Sequence, residues 1–384
     1  MFGPLLIVLA QAATPSSTVP SDIIVVGRRA EQELAACFSR NCPPAEEIEA
    51  SLQASVEQFA DGRYGDARQT LQKAIRRNRD HAAELPGPVS SLYATLATVA
   101  EHLGDTELWF WSARNDVVVL RRNLGETHKA TLTEELAFAD NLFGLNRTDS
   151  ADEIYRKVQR VATDHGETDL AAGAAFRRAW LYALAGRDKD AEQGADEAVA
   201  LTGGHNPTML ELRDLIRARI AIRRGNDGAV DLLAARLRQS ATETPKLLFA
   251  PSIEEIDRPR SGFQQDPWHD SDVRFADVGF WIRPDGRTAG AELLRDSGLS
   301  QWAPGILKQV RQRRYIPLDV EPDKPGIYRI DRFTVRGTLG MPTGSRIGRR
   351  MGEVSIHVID LTETDAMSAA HRDRTQKALS KPGA

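Results

Sequence analysis

"GRDKDAEQGADEAV", residues 186–199, decides how most of this chain must be read. Gly186 punctuates the end of one helix. Ala191, Ala195 and Ala198 then follow at spacings of four and three, one face of the next helix, and their small size lets a partner helix approach closely. The block recurs. "GRYGDARQTLQKAI" (62–75) carries Ala67, Leu71 and Ala74, and "NRTDSADEIYRKVQ" (146–159) carries Ala151, Tyr155 and Val158. "RRGNDGAVDLLAARL" (223–237) carries Ala229 and Leu233. The lead alanines lie 84, 40 and 38 residues apart, and the first interval is twice 42. That leaves room for one degenerate unit around "HLGDTELWFWSARNDVVVL" (102–120).

One helical hairpin cannot bury its apolar face alone. Residues 46–245 are therefore expected to stack as a helical-hairpin repeat solenoid with a surface for a peptide or protein partner. A plain helical bundle is the alternative. The unit Ala179, Tyr182, Gly186, Ala191, Ala195 and Ala198 resembles the tetratricopeptide repeat family. "LGETHKATLTEELAFADNLFGLNRTDSADEIYRKV" (124–158) resembles its longer variety in kinesin light chains, with "LGETHKATL" as the inter-repeat loop.

Beyond Lys246 the texture changes. Residues 246–270, rich in Pro and polar residues, read as a linker. Val278, Phe280 and Ile282 alternate like a half-buried strand, and Pro284-Asp285-Gly286 is a turn. "TAGAELLRDSG" returns, and a helix then places Trp302, Ile306 and Val310 on one face. "GIYRIDRFTVRGTL" and "EVSIHVIDL" add two strands. The expected order over 271–362 is strand, strand, helix, strand, strand, a small C-terminal α+β domain. The fold class is thus mainly α with this α+β addition.

"FWIRPDGRTAGAELLRDSGLSQWAPGILKQVRQRRYIPL" (280–318) resembles the C-terminal domain of TonB-type energy transducers. The resemblance implies a periplasmic domain that adds a short extended peptide, the receptor's TonB box, to a sheet edge. The candidate edge is Tyr328, Ile330, Arg332, Phe333 and Val335. Pro304 within the helix, the basic stretch 341–352 and the lack of a proline-rich stalk depart from that family.

The N-terminal residues add three expectations. "MFGPLLIVLAQAA" (1–13) reads as an export signal, too short for a spanning helix. The leader 14–45 holds "SDIIVVGRR" (21–29), whose run Asp22, Ile23, Ile24, Val25, Val26 and Gly27 fits a strand and resembles a TonB box. Its two cysteines, Cys37 and Cys42, suggest a local disulfide in an oxidising compartment, with free cytosolic thiols as the alternative. Residues 363–384 read as a disordered tail.

Net charge −4 over 384 residues argues against a nucleic-acid partner, although 301–350 hold eleven Lys/Arg against four Asp/Glu. The eight histidines lack metal-ligand spacing, and the common catalytic motifs are missing. No catalytic residue, metal or cofactor is expected. The expected function is a periplasmic adaptor whose partners are envelope peptides or proteins, TonB or a TonB-dependent receptor among them. The alternative is an inner-membrane energy transducer that keeps its N-terminal segment.

Overall fold

The computed structural model describes residues 29–144, 147–226, 228–237, 239–240, 245–251, 253, 273–299, 302–319, 326–340 and 349–362. The expected export signal, the box-like strand Asp22 to Gly27, most of the linker and the tail lie outside the described residues.

Five helical hairpins follow one another among the described residues: α2 (Pro44–Ala60) with α3 (Tyr64–Asn78), α4 (Pro86–Leu103) with α5 (Thr106–Leu124), α6 (Lys129–Gly144) with α7 (Thr148–Asp164), α8 (Thr168–Leu184) with α9 (Asp188–Leu201), and α10 (Pro207–Arg223) with α11 (Ala229–Arg236). Prolines at the start of α2, α4 and α10 fit the first turn, where their missing N–H has no helical partner. Asp105 caps α5 by accepting from the Leu108 N–H at 3.0 Å, and Asn206 caps α10 through the Met209 N–H at 3.2 Å. Before them α1 (Arg29–Ser39) packs on α2, so the end of the expected leader is helical. Its Glu31 accepts from Gln58 and Arg63. Cys37, in the last turn of α1, is bonded to Cys42 just beyond that helix, with Cα atoms 5.1 Å apart.

The repeated positions Ala67, Leu71 and Ala74, Ala151 and Val158, and Ala191, Ala195 and Ala198 are all buried, each at or near zero exposure. The degenerate unit obeys the same register. Trp109, Ala113 and Asp116 occupy its three positions on α5, all buried. The even-numbered helices form one layer, in which α2 meets α4, α6 meets α8, and α8 meets α10.

The C-terminal unit is an antiparallel sheet of four long strands. Its order is β4 (Thr288–Asp296), β3 (Arg274–Ile282), β7 (Ile327–Gly340), β8 (Arg349–Asp360). One face carries Ala276, Val278, Phe280, Ile282, Phe333 and Val335 against Trp302, Ile306 and Val310 of α12 (Ala303–Arg311) and the residue before it. Short pairings tie this unit to the last hairpin. β1 (Gln239–Ser240) runs parallel to β6 (Leu318–Asp319), and β2 (Leu247–Phe249) pairs with β5 (Arg314–Tyr315). Leu247 to Phe249, expected to begin a linker, therefore form a strand. Leu248 packs with Ile316, Leu233 and Leu237 against Leu215 and Ala218 of α10.

The other sheet face docks on the first two hairpins. Arg332 of β7 is fully buried there, and each of its five N–H bonds finds an acceptor. Nε and Nη2 donate to the two Asp277 oxygens at 2.6 and 2.8 Å. Nη1 donates to the Phe59 carbonyl at 2.7 Å and to Tyr64 Oη at 3.2 Å, and Nη2 to the Ala60 carbonyl at 2.6 Å. Phe59 and Ala60 end α2, where carbonyls lack helical partners and the dipole favours a cation. The guanidinium lies 4.0 Å from the Phe275 ring centroid. Gly62, at φ +78°, lets that ring close in, since a Cβ there would stand 2.5 Å from Phe275 Cε1. His102 is buried and meets Thr334 Oγ1 at 3.2 Å. It also packs edge-on to Phe59 at 4.9 Å.

Replacing Arg332 by Met removes the buried cation from the Phe59 carbonyl and Tyr64 hydroxyl, and leaves the buried Asp277 only the half-exposed Arg295 as a counter-charge. Urea unfolding should show a loss of about 3–5 kcal/mol, the usual cost of breaking a buried pair. A loss below about 1 kcal/mol, the worth of an exposed pair, would contradict this role.

Candidate functional site

Two surfaces combine accessible backbone or polar groups with apolar area: the open side of the sheet and the layer of even-numbered helices. In the sheet, Arg332, Phe333 and Val335 of the expected edge lie where the strand is paired on both sides, whereas Tyr328 and Ile330 precede the second pairing. Tyr328, Ile330, Arg332, Phe333 and Val335 belong to β7, which pairs with β3 over 327–335 and with β8 over 331–340. Where both sides are paired, no ladder is free. Phe333 and Val335 face the α12 core, and Arg332 is spent on docking. The Ile330 N–H donates to Thr362 Oγ1 at 2.9 Å. Only Tyr328 lies near an accessible region.

The outer strands are β4 and β8. β4 pairs only with β3 among the described residues, and its Leu293 and Leu294 are 36% and 45% exposed. Register shifts at Asp277/Val278 and Gly279/Trp281 mark bulges, which re-aim side chains and end pairing locally. Beside β4 on the docking face, Trp281 and Tyr328 place their ring centroids 5.2 Å apart. Gly279 makes room for this pair, because a Cβ would fall 2.0 Å from Tyr328 Oη and 2.9 Å from Leu294 Cδ1. Burial, and then the Glu292 carboxylate, raise the Tyr328 pKa, so its phenol stays protonated as a donor. An open backbone ladder next to a half-exposed Trp–Tyr pair suits an extended peptide with alternating apolar side chains.

The helical layer is tied together by charged side chains between hairpins. Asp140 of α6 accepts from Arg177 Nε of α8 at 2.8 Å and from Tyr155 Oη at 2.7 Å. Glu135 accepts from Arg121 at 2.5 Å and Lys157 at 2.8 Å. Asp152 gathers Arg156, Arg178 and Tyr182. Among the described residues no three His, Cys, Asp or Glu side chains converge as a metal site.

Sequence reasoning missed the docking residues Phe275, Asp277, Tyr64 and His102. One signal was available. Phe275 and Asp277 alternate with Ala276 and Val278, so this end of β3 carries an apolar ring and an acid on the face opposite the core, which asks for cover on both sides.

One buried carboxylate has no cation among the described residues. Asp116, at the third repeat position of α5, accepts a hydrogen bond from Ser90 Oγ of α4 and is hydrogen-bonded to Glu134 of α6. Burial first, then Glu134, push its pKa up to about 8, and burial also raises Glu134. The folded protein therefore holds a proton that the unfolded chain has lost, so this site's stabilisation is complete below about pH 4 and fades as pH rises towards 8. Asp116→Asn keeps an acceptor for Ser90 and gives Glu134 a donor. Thermal unfolding of that variant should show a flatter pH dependence between 4 and 8, and a melting temperature a few degrees (~3 °C) higher at pH 8. An unchanged pH slope would rule out the shared proton.

No family model matches the chain, and no curated protein matches it. Solved structures do. BtubC (BKLC) from P. vanneervenii is 14% identical over 54% of this chain and 85% of its own, with a TM-score of 0.42. A Podosopora anserina protein of nearly identical TPR-like repeats is 13% identical over 50% of this chain and 93% of its own, TM-score 0.39. A Rap protein complexed with competence and sporulation factor is 14% identical over 53% of this chain and 58% of its own, TM-score 0.36.

Proposed function

We propose that this protein is a non-enzymatic adaptor of the cell envelope whose C-terminal sheet captures an extended peptide along β4, in the manner of the TonB C-terminal domain. The carrying observation is the β4 edge itself: open backbone, exposed Leu293 and Leu294, and the adjoining Trp281–Tyr328 pair. Main-chain hydrogen bonds would supply affinity and the apolar positions selectivity. The occupant this reading favours is a box-like segment such as Asp22 to Gly27, from the chain's own leader or from a TonB-dependent receptor.

The test titrates a peptide of residues 19–30 into protein that begins at Arg29, so that the peptide meets no copy of itself. Amide shifts should map to 288–296, and Ile24→Pro should weaken binding more than Ile24→Ala, because proline deletes a ladder donor. No shift at about 1 mM peptide, a concentration that detects even weak complexes, would overturn the proposal.

Export to the periplasm belongs to the same reading and is supported by residues 1–13 and by the Cys37–Cys42 bond. Alkylation of native protein without reductant should add no mass. Two added labels would place the chain in a reducing compartment.

A further inference from the structure

From α8 to the end of α10 nearly every arginine has an acid. Arg177 pairs with Asp140, Arg178 with Asp152, Arg187 with Asp190, Arg213 and Arg217 with Asp196, and Arg223 and Arg224 with Asp188. Arg219 is the exception. It makes no hydrogen bond and no ion pair among the described residues, and its guanidinium lies over the Trp180 ring, 4.6 Å from the centroid. Burial, with no acid to offset it, lowers its pKa below the ordinary arginine value. Trp180 itself, on the neighbouring helix of the same layer, is only 6% exposed, and its indole Nε1–H has no acceptor among the described residues. Two unsatisfied donors of this kind, one charged, are costly side by side. Native proteins leave few buried donors unpaired, and a half-buried cation with no acid beside it attracts an anion.

We propose that Trp180 and Arg219 form a carboxylate-binding site between α8 and α10. One carboxylate has two oxygens. One accepts from the guanidinium edge, and the other accepts from the indole N–H, which lies in the ring plane and so is not blocked by the stacked arginine. A single positive charge matches a monoanion. Phosphate would bring a second charge with no partner, since the neighbouring arginines are already paired. The surroundings are apolar, with the Phe176 ring centroid 6.3 Å from that of Trp180 and Leu215 one turn from Arg219 on α10. The ligand is therefore a carboxylate on an apolar stem: a peptide C-terminus or a Glu side chain. Ala218, next to Arg219, packs with Leu248 and Ile316 of the C-terminal unit, so such a peptide would lie beside that unit. This site is distinct from the β4 edge, and its test reads a signal on α8 that failure of binding at β4 leaves untouched.

The experiment follows the six tryptophan indole signals of the full chain in a proton–nitrogen spectrum at fixed ionic strength, with Trp180 assigned by its loss in Trp180→Phe. Sodium acetate should move the Trp180 signal downfield and saturate at tens of millimolar, leaving the other five in place. Arg219→Met, which keeps the stem over the ring, should weaken this response at least about tenfold, or 1.4 kcal/mol. N-acetyl-leucine and N-acetyl-glutamate α-amide then separate the two carboxylate sources, the tighter one naming the ligand. Absence of any acetate response, an equal response in Arg219→Met, or tighter binding of inorganic phosphate would each overturn the proposal.

Discussion

The guanidinium of Arg332 is the contact on which the arrangement of the molecule depends. A buried arginine has five N–H bonds to satisfy, and the sheet that carries it supplies acceptors for two, both on Asp277. The other three go to the last carbonyls of α2 and the first tyrosine of α3. Taking the sheet away from the helices would leave these groups either unpaired or exposed to water, and would uncover the Phe275 ring. The helices and the sheet are therefore coupled energetically, and the image of a module on a tether gives way to one of a sheet seated on a scaffold. Asp277 also accepts from Arg295 at 2.8 Å, so β4, β3 and β7 all take part in the same charge cluster.

How far the sequence was legible follows from the range of the interactions. The repeat positions were legible because helix pairing imposes small residues at fixed local spacing. Even the degenerate unit falls where the 42-residue interval puts it, although Trp109 and Asp116 hide it. The four long strands and α12 were legible for the same reason, from alternation and from Trp302, Ile306 and Val310. What was not legible is long-range. Arg332 reaches an acceptor 273 residues away, and that acceptor is a backbone carbonyl, which has no residue signature. His102 shows the same limit, since its partner Thr334 is 232 positions distant. The misplaced edge has a different origin. Alternation identifies a strand but not its neighbours, and from Asp331 to Val335 the 14-residue β7 is paired on both sides.

The same strand, β3, is both anchor and part of the accessible surface. Phe275 and Asp277 are covered by helices, whereas Trp281, on the same face further along, is 36% exposed. The bulges fall between these two regimes. At Asp277/Val278 the partner strand gains a residue, which brings both Leu294 and Arg295 to the helix-docking face. Arg295 then donates to the Ala60 carbonyl, while Leu294 lies over Gly279 and borders the aromatic pair. A regular ladder would have turned one of them to the opposite face.

At the far end, β2 against β5 and β1 against β6 hold the C-terminal unit to α10 and α11. The sheet is thus fixed at two separate places, one on the first two hairpins and one on the last. A solenoid joined only to its neighbours flexes along its length, because each repeat contacts only the next. Bridging its first and last hairpins through a sheet removes that freedom. The β4 edge, the Trp281–Tyr328 pair and the Trp180–Arg219 pair are then held in one fixed relation, with the loss of conformational freedom met during folding rather than on binding. Preorganisation of this kind would lower the entropic loss on binding for the proposed peptide site.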